Sequence, residues 1–151
     1  LSATEAIAGM NAVAGWTGAP RPVLARELLP ERALCGDATA IAVLDAEVMR
    51  PLADAGATLT ETLDAYLDSG GAIEACARKL FVHPNTVRYR LKRIADFTGR
   101  DPTTPRDAYV LRVAATVGRL SHQANNPSSI YDNVSQVTAA SALSVAPDEL
   151  L

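Results

Sequence analysis

The sequence predicts an all-α fold, a helical bundle that contains a helix-turn-helix motif. Apolar residues recur at helical spacing in several segments of the 151-residue chain, with capping residues or prolines at their starts. Apolar residues make up 48% of the chain, which favours a folded globular protein over disorder. One short segment, residues 83–94, also concentrates four strong cations on a single predicted helix.

The N-terminal part of the chain carries weak helix signals. Ser2 and Glu5 have the spacing of a capping box and predict a short helix through Ala14. Two glycines and two prolines in residues 15–22 break that helix. Residues 23–34 are apolar without a regular period, so we expect a loop there. Three leucines should anchor this loop to the core: Leu28, Leu29 and Leu34.

Two further helices are predicted in the middle of the chain by their capping residues. Asp37 can cap a helix that runs to about Met49 and that Pro51 ends or kinks. Thr58 and Glu61 have the spacing of a second capping box, and the helix that follows is amphipathic. Its apolar face consists of Leu59, Leu63, Tyr66 and Leu67.

Two helices joined by a short turn form the most informative pattern in the sequence. The first, residues 72–80, follows a glycine pair and places Ala77 where a closely crossing helix requires a small side chain. The second, residues 84–97, begins with a proline after the capping residue His83 and stops before Gly99. Four apolar residues should lock the pair together: Leu80, Val82, Val87 and Leu91. Ile73 and Cys76 on the first helix and Ile94 on the second should also be buried.

Charge is segregated along the chain, although the net charge is only −3. Residues 78–100 carry seven basic groups and one acidic group, whereas residues 1–77 carry four basic and eleven acidic groups. The basic segment would attract phosphate, and the acidic remainder would discourage loose binding elsewhere. We therefore expect the second helix of the pair to be a recognition helix that enters the major groove of double-stranded DNA.

The second helix presents a polar and basic side opposite its apolar stripe. Asn85 and Thr86 stand at its start, where side chains reach base edges or nearby phosphates. Arg88 can bind guanine with two hydrogen bonds or clamp a phosphate, and Tyr89 can contact the DNA backbone or a thymine methyl. Further cations are predicted to contact phosphates: Lys92 and Arg93 on this helix, and Arg78 and Lys79 at the end of the preceding one.

Arg90 lies at the edge of the apolar stripe, and two roles are open for it. This position favours an internal ion pair with an acidic group such as Glu74 over contact with DNA. Because the second role stays open, Arg90 is kept among the candidate DNA-binding residues.

The motif resembles a known family of bacterial proteins. Residues 80–91, LFVHPNTVRYRL, look like the C-terminal DNA-binding domain of the PucR/CdaR transcription regulators. Thr62-Leu63, Tyr66-Leu67 and Thr98-Gly99-Arg100 extend the likeness on both sides, and the helix pair is similar to the Fis type. Phe81 departs from many helix-turn-helix motifs, which have glycine at this turn position.

The resemblance covers residues 58–121 and implies a division of the chain. Residues 58–121 would be the helix-turn-helix domain, and residues 1–57 the tail of an upstream linker or GGDEF-like segment. Residues 122–151 would be a C-terminal linker and arm. The resemblance also implies a homodimer and an upstream sensory domain that is absent from this chain, so that the present segment is the output part of a regulator.

The C-terminal part begins with one more strongly apolar helix. A turn bracketed by Pro102 and Pro105 precedes this helix, which is predicted over residues 109–120. Residues 122–133 are predicted to be a linker. Residues 134–145 form either a weak helix or a packed extended arm.

Several classes of function lack support in the sequence. No Ser/His/Asp set, phosphate-cradling glycine loop or convergent carboxylate pair is visible, so we expect neither enzyme activity nor a cofactor. The two histidines are isolated and do not suggest a metal site. Cys35 and Cys76 form no Cys-x-x-Cys pair and fit a reducing cytoplasm as small core residues. Without a bilayer-length apolar run or a signal segment, we expect a cytoplasmic, nucleoid-associated protein with no membrane contact.

One alternative function stays open, a protein-interaction domain whose basic helix docks on an acidic partner. The alanine-rich and apolar stretches 1–14 and 134–145 support it. Preference among DNA duplexes separates the two hypotheses, because salt would weaken both kinds of complex. RNA binding has little support, since neither a glycine-rich clamp nor an aromatic sheet face is visible.

Overall fold

Helices make up most of the described structure, and the predicted all-α fold is confirmed. The computed structural model describes residues 2–124, and no strand occurs among them. The helices are α1 (Ala3–Ala12), α2 (Leu29–Leu34), α3 (Ala38–Leu44), α4 (Arg50–Asp54), α5 (Ala57–Asp68), α6 (Ile73–Leu80), α7 (Pro84–Thr98) and α8 (Pro105–Ala124). Two 3-10 turns, Val13–Gly15 and Ala25–Leu28, and a π-helical turn, Asp45–Met49, complete the described elements.

The chain divides into two compact units, residues 1–118 and residues 119–151. The second unit is described only as far as Ala124, where α8 ends. Residues 122–124 were expected in a linker but form the last turn of α8, and residues 134–145 lie outside the described part. A division of the first unit at residue 57 stays a prediction.

No helix between residues 2 and 124 is long and apolar enough to cross a membrane.

One hydrophobic core serves both the helix pair and the helices that precede it. Val87, Leu91 and Ile94 of α7 lie in this core and are at most 3% exposed. Their neighbours in the cluster come from α5, α6 and α8, namely Leu63, Tyr66, Leu67, Cys76, Ala77, Val110, Leu111, Val113, Ala114 and Val117. Leu44, Val48 and Leu52 of the preceding helices belong to the same cluster. The predicted inner face of α7 is thereby confirmed.

Arg106, near the start of α8, binds the segment that contains α2. Its guanidinium donates two hydrogen bonds to the Glu31 carboxylate, at 2.5 and 2.9 Å, and one to the Glu27 carbonyl at 2.7 Å. It also lies over the ring of Trp16, 3.7 Å from the centroid, and 5.4 Å from the ring centroid of Tyr109. The Glu31 side chain is only 3% exposed. We refer to these contacts as the Arg106 clamp.

Residues 25–34 of the segment 23–34 are helical rather than an irregular loop, so this prediction was wrong. The turn Ala25–Leu28 leads directly into α2. Leu28 and Leu29 are buried as expected, whereas Leu34 is 65% exposed. Leu34 is the last residue of this short helix, and the buried residues before it include Glu31 and Arg32, which are held by ion pairs.

Arg32 is the largest fully buried side chain of the described part, and Asp37 compensates its charge. The Nε and Nη2 atoms of Arg32 lie 2.8 Å from Asp37 Oδ2. Asp37 also caps α3 as predicted, accepting hydrogen bonds from the backbone N–H groups of Thr39 and Ala40. Burial raises the pKa of Asp37, but the hydrogen bonds from Arg32, Ala40 and Thr39 and the positive charge of Arg32 together leave the pKa below its ordinary value.

Pro51 does not end the helical path that starts at α3. The path passes through the π-helical turn, in which the N–H of Arg50 donates to the carbonyl of Asp45, and continues in α4 to Asp54. Proline removes one helical hydrogen bond and crowds the preceding turn. The wider π turn directly before Pro51 accommodates that change.

Three smaller predictions were also wrong. Thr58 does not cap α5, because the helix begins at Ala57 and the cap position is two residues earlier, at Gly56, whose φ is 112°. Cys35 is exposed rather than part of the core, whereas Cys76 is buried as predicted. Helix α8 begins at Pro105, four residues before the predicted start at Tyr109. Proline at the first helical position has no N–H to leave unsatisfied, which accounts for the earlier start.

Candidate nucleic-acid interface

Helices α6 and α7 form the predicted pair, joined by a turn of three residues. Ala77 is 3% exposed, and its carbonyl accepts a hydrogen bond from the N–H of Val82 at 3.0 Å. Phe81 ends α6 in the left-handed region, with φ 54° and ψ 43°. The backbone therefore adopts the turn that glycine usually occupies, with phenylalanine in its place.

The start of α7 is capped as the sequence predicts. The Nδ1 atom of His83 accepts a hydrogen bond from the N–H of Asn85 at 3.1 Å, and Pro84 occupies the first helical position. The far end is also as predicted, since Gly99 has φ 65° and its N–H donates to the Ala95 carbonyl. The His83 cap holds the first turn of α7 in place beside the α6–α7 turn.

The side of α7 opposite the core carries polar and basic residues. Tyr89 is 63% exposed, and Thr86 is half-buried. We define the exposed members Asn85, Arg88, Tyr89, Lys92 and Arg93 as the basic face. A helix of this kind, apolar on one side and basic on the other, has the form that enters a major groove.

Arg88 is held by two partners in the described structure. Its Nη1 donates to Asn85 Oδ1 at 2.9 Å, and its Nη2 lies 3.5 Å from Glu74 Oε1 on α6. Both side chains of the ion pair are more than half exposed. The sequence did not indicate this network, because a helical period does not tell which cation on α7 lies opposite Glu74.

Arg90 does not pair with Glu74, so that expectation was wrong. It is half-buried, and its Nη1 donates to the hydroxyl of Thr62 on α5 at 3.2 Å. Thr62 is fully buried and donates in turn to the Thr58 carbonyl. Arg90 therefore links α7 to α5.

Arg93 belongs to the basic face, whereas the predicted cations Arg78 and Lys79 lie at the end of α6. Lys79 lies 3.2 Å from Asp68 Oδ2, and Arg78 is exposed. The guanidinium of Arg93 lies over the ring of Phe97, 4.9 Å from its centroid. Exposed pairs of this kind are weak, so DNA phosphates can replace such partners at low cost.

A shallow hollow adjoins the α6–α7 turn, and its lining includes Glu74, Arg78, Phe81 and His83. The side chain of Phe81 is 95% exposed there. In the sequence Phe81 stands out only as an unusual turn residue, and the helical period does not indicate its exposure.

Cys76 lies behind this surface as a core thiol. Burial raises its pKa, against the opposing influence of Lys79 and Arg90. Its sulfur lies 3.9 Å from the Thr62 carbonyl. A thiol with a raised pKa stays protonated and is a poor nucleophile, so its contribution here is packing.

Three comparisons relate the chain to known proteins. A family model described as the PucR C-terminal helix-turn-helix domain matches residues 59–117. An uncharacterized protein of Mycobacterium tuberculosis is 85% identical over 121 residues, which are 80% of this chain and 29% of that protein. The purine catabolism regulatory protein of Bacillus subtilis is 36% identical over 63 residues, 42% of this chain and 12% of that protein.

A solved structure agrees with these matches. The crystal structure of a regulator of polyketide synthase expression from Bifidobacterium adolescentis is similar with a TM-score of 0.72 and 44% identity. The similarity covers 78% of this chain and 49% of that chain. The present chain thus spans less than a third of its mycobacterial relative and about half of the solved regulator.

Proposed function

Residues 59–117 belong to the family of PucR C-terminal helix-turn-helix domains, and on this premise we propose that the chain is the sequence-specific DNA-binding output part of a bacterial transcription regulator. Helix α7 enters the major groove. The observation that carries this proposal is the division of α7 into a fully buried apolar stripe and an exposed basic face whose first turn is capped.

Arg88 and Asn85 are the residues to which we assign base contact. The guanidinium fork of arginine matches the two acceptors of guanine, and the asparagine amide matches adenine. The hydrogen bond between the two side chains and the Glu74 carboxylate hold Arg88 over the start of α7 before DNA arrives. Thr86 serves a base edge or a nearby phosphate.

The other candidate residues position the protein on the DNA backbone. Lys92 and Arg93 contact phosphates on one side of the groove, and Arg78 and Lys79 contact them from the end of α6. Tyr89 packs on the backbone or on a thymine methyl. Arg90 holds α7 to α5 and contacts DNA only with the part of its guanidinium that stays exposed.

A homodimer places two copies of α7 in successive major grooves, about 34 Å apart. This arrangement rests on the family and on the symmetry that most oligomers have. Signal sensing then belongs to a further domain of the complete regulator, and the regulator acts at the nucleoid.

The proposal is tested by fluorescence anisotropy of the 151-residue chain on a duplex selected from a random pool and on a scrambled duplex, over a salt series. We expect a clear preference for the selected duplex and a steep loss of affinity with salt. Equal and weak binding to both duplexes would contradict the proposal and favour an acidic protein partner.

Arg88→Ala is expected to reduce the preference for the selected duplex. Loss of a two-bond contact to guanine costs roughly 1 to 3 kcal/mol of discrimination. The measurement is the ratio of the two Kd values in the same anisotropy assay. Arg21→Ala is the matched control, because Arg21 is an exposed arginine in the loop before α2 and its loss changes the net charge equally. An unchanged ratio for Arg88→Ala would show that Arg88 does not read a base.

Lys92→Ala is expected to weaken binding to both duplexes by the same factor. A lysine that contacts phosphate releases about one counterion, so the slope of log Kd against log salt should fall by about one. Lys92→Arg keeps the charge and should keep the slope. A change in the ratio of the two Kd values would instead assign Lys92 to base reading.

A further inference from the structure

Phe81 occupies a backbone conformation that disfavours it and gains little burial in return. Its φ of 54° lies in the left-handed region, where a Cβ atom is strained and glycine is not. Its side chain is 95% exposed, so the ring makes almost no contact within the described chain. Stability of the free protein therefore does not explain phenylalanine at this position, and such outliers occur at functional sites.

We propose that Phe81 is a specificity residue that packs its ring on the C5 methyl group of a thymine beside the bases read by α7. This inference rests on the proposed function and adds a contact to it. Among the four base pairs only those with thymine present a methyl group in the major groove, and phenylalanine is one of the side chains that contact it.

The surroundings of Phe81 connect it to the basic face. The hollow that it borders is also lined by Glu74 and His83. Glu74 pairs with Arg88, and His83 caps the turn that carries Asn85. Phe81 thus borders the same hollow as residues that touch both assigned base readers, and it precedes the start of the recognition helix, the part that contacts base edges.

Charge favours DNA as the occupant of this hollow. Arg78 lines it, and the segment 78–100 carries seven basic groups against one acidic group. Beside Arg78 the hollow is lined by apolar residues, namely Ala77, Phe81, Val82 and Pro84, so it can seat a methyl group next to a phosphate. Apolar patches that bind proteins are larger and are continuous over several hundred square ångströms.

Phe81→Gly in the 151-residue chain gives effects of opposite sign on stability and on binding. Glycine relieves the left-handed strain, so the Tm should rise by about 3 °C. Affinity for the selected duplex should fall about fourfold or more, the effect of losing at least one buried methyl contact. Phe81→Tyr keeps both the ring and the strain, and should leave both quantities near those of the unaltered chain.

A uracil scan of the selected duplex identifies the contact. Each thymine is replaced in turn by uracil, which lacks only the methyl group. We expect one replacement to weaken binding by the unaltered chain about fourfold and to leave binding by Phe81→Gly unchanged. If every replacement affected both proteins equally, or if Phe81→Gly bound the selected duplex with unaltered affinity, the inference would be overturned.

Failure of this inference is distinguishable from failure of the proposed function. A chain that prefers the selected duplex and loses the preference with Arg88→Ala, but shows no Phe81-dependent thymine, overturns the Phe81 contact alone. A chain with no preferred duplex overturns both.

Discussion

Arg106→Ala is expected to lower the free energy of unfolding by roughly 3 kcal/mol, the low end of the range for breaking a buried ion pair. The substitution leaves the Glu31 carboxylate, only 3% exposed, without its two guanidinium hydrogen bonds. It also removes the hydrogen bond to the Glu27 carbonyl and the stacking on Trp16. Urea denaturation of the 151-residue chain, followed by circular dichroism, measures the change.

Two variants separate the causes of this loss. Arg106→Lys keeps the charge but not the planar guanidinium. Its free energy of unfolding should lie between those of Arg106→Ala and the unaltered chain, because only one of the two hydrogen bonds to Glu31 can re-form. Arg106→Ala combined with Glu31→Ala removes the stranded carboxylate and should be more stable than Arg106→Ala alone. A change below about 0.5 kcal/mol for Arg106→Ala would place the clamp among the weak surface contacts instead.

Leu91→Ala is expected to destabilise the chain by roughly 2 to 5 kcal/mol, the range for truncating a buried leucine. Leu91 is 3% exposed and lies in the core between Val87 and Ile94. A cavity at this point loosens α7 from α5 and α6, so DNA affinity should fall with the folded fraction. The same denaturation experiment measures the loss.

Asp96→Ala is the matched control for Leu91→Ala. Asp96 is an exposed residue of α7, so its truncation should change the unfolding free energy by less than about 0.5 kcal/mol. If Leu91→Ala melted like the unaltered chain, the buried stripe of α7 would be refuted, together with the assignment of its opposite side to DNA.

The helix pair could be predicted from the sequence because its signals are local. Helix α7 begins at Pro84 and ends at Thr98, one residue beyond the predicted end, since a proline, a histidine cap and Gly99 mark its limits. The buried stripe follows from the spacing of its apolar residues. All of these interactions lie within one or two helical turns, which is the range that a sequence pattern reports.

The segment before the pair could not be predicted in the same way, because its burial depends on partners distant in sequence. Glu31 is buried against Arg106, 75 residues away, and a buried glutamate leaves no apolar period. Arg32 is buried by its pair with Asp37 across the end of a short helix. Because of these ion pairs, two charged residues of α2 are buried beside Leu29 and Ala33, whereas Leu34 is exposed.

The candidate interface was predicted in composition but not in its internal contacts. The polar residues of α7 follow from the helical period, whereas the choice of Arg88 rather than Arg90 as the partner of Glu74 depends on how α6 crosses α7. Arg90 lies closer to the core and reaches Thr62 instead. The exposure of Phe81 likewise depends on the direction of the turn, which composition does not encode.

The contacts of Arg88 have a consequence for how a regulator searches a chromosome. Under the proposed function, a guanidinium that already has an amide and a carboxylate as partners exchanges those contacts only where the duplex offers acceptors that replace both. A mismatched stretch offers the Arg88 guanidinium only phosphates and water, whereas a guanine at the matching position offers it two aligned hydrogen-bond acceptors. Under the proposed function, Glu74 and Asn85 shorten the time spent on wrong sequences and leave the protein freer to slide toward its operator.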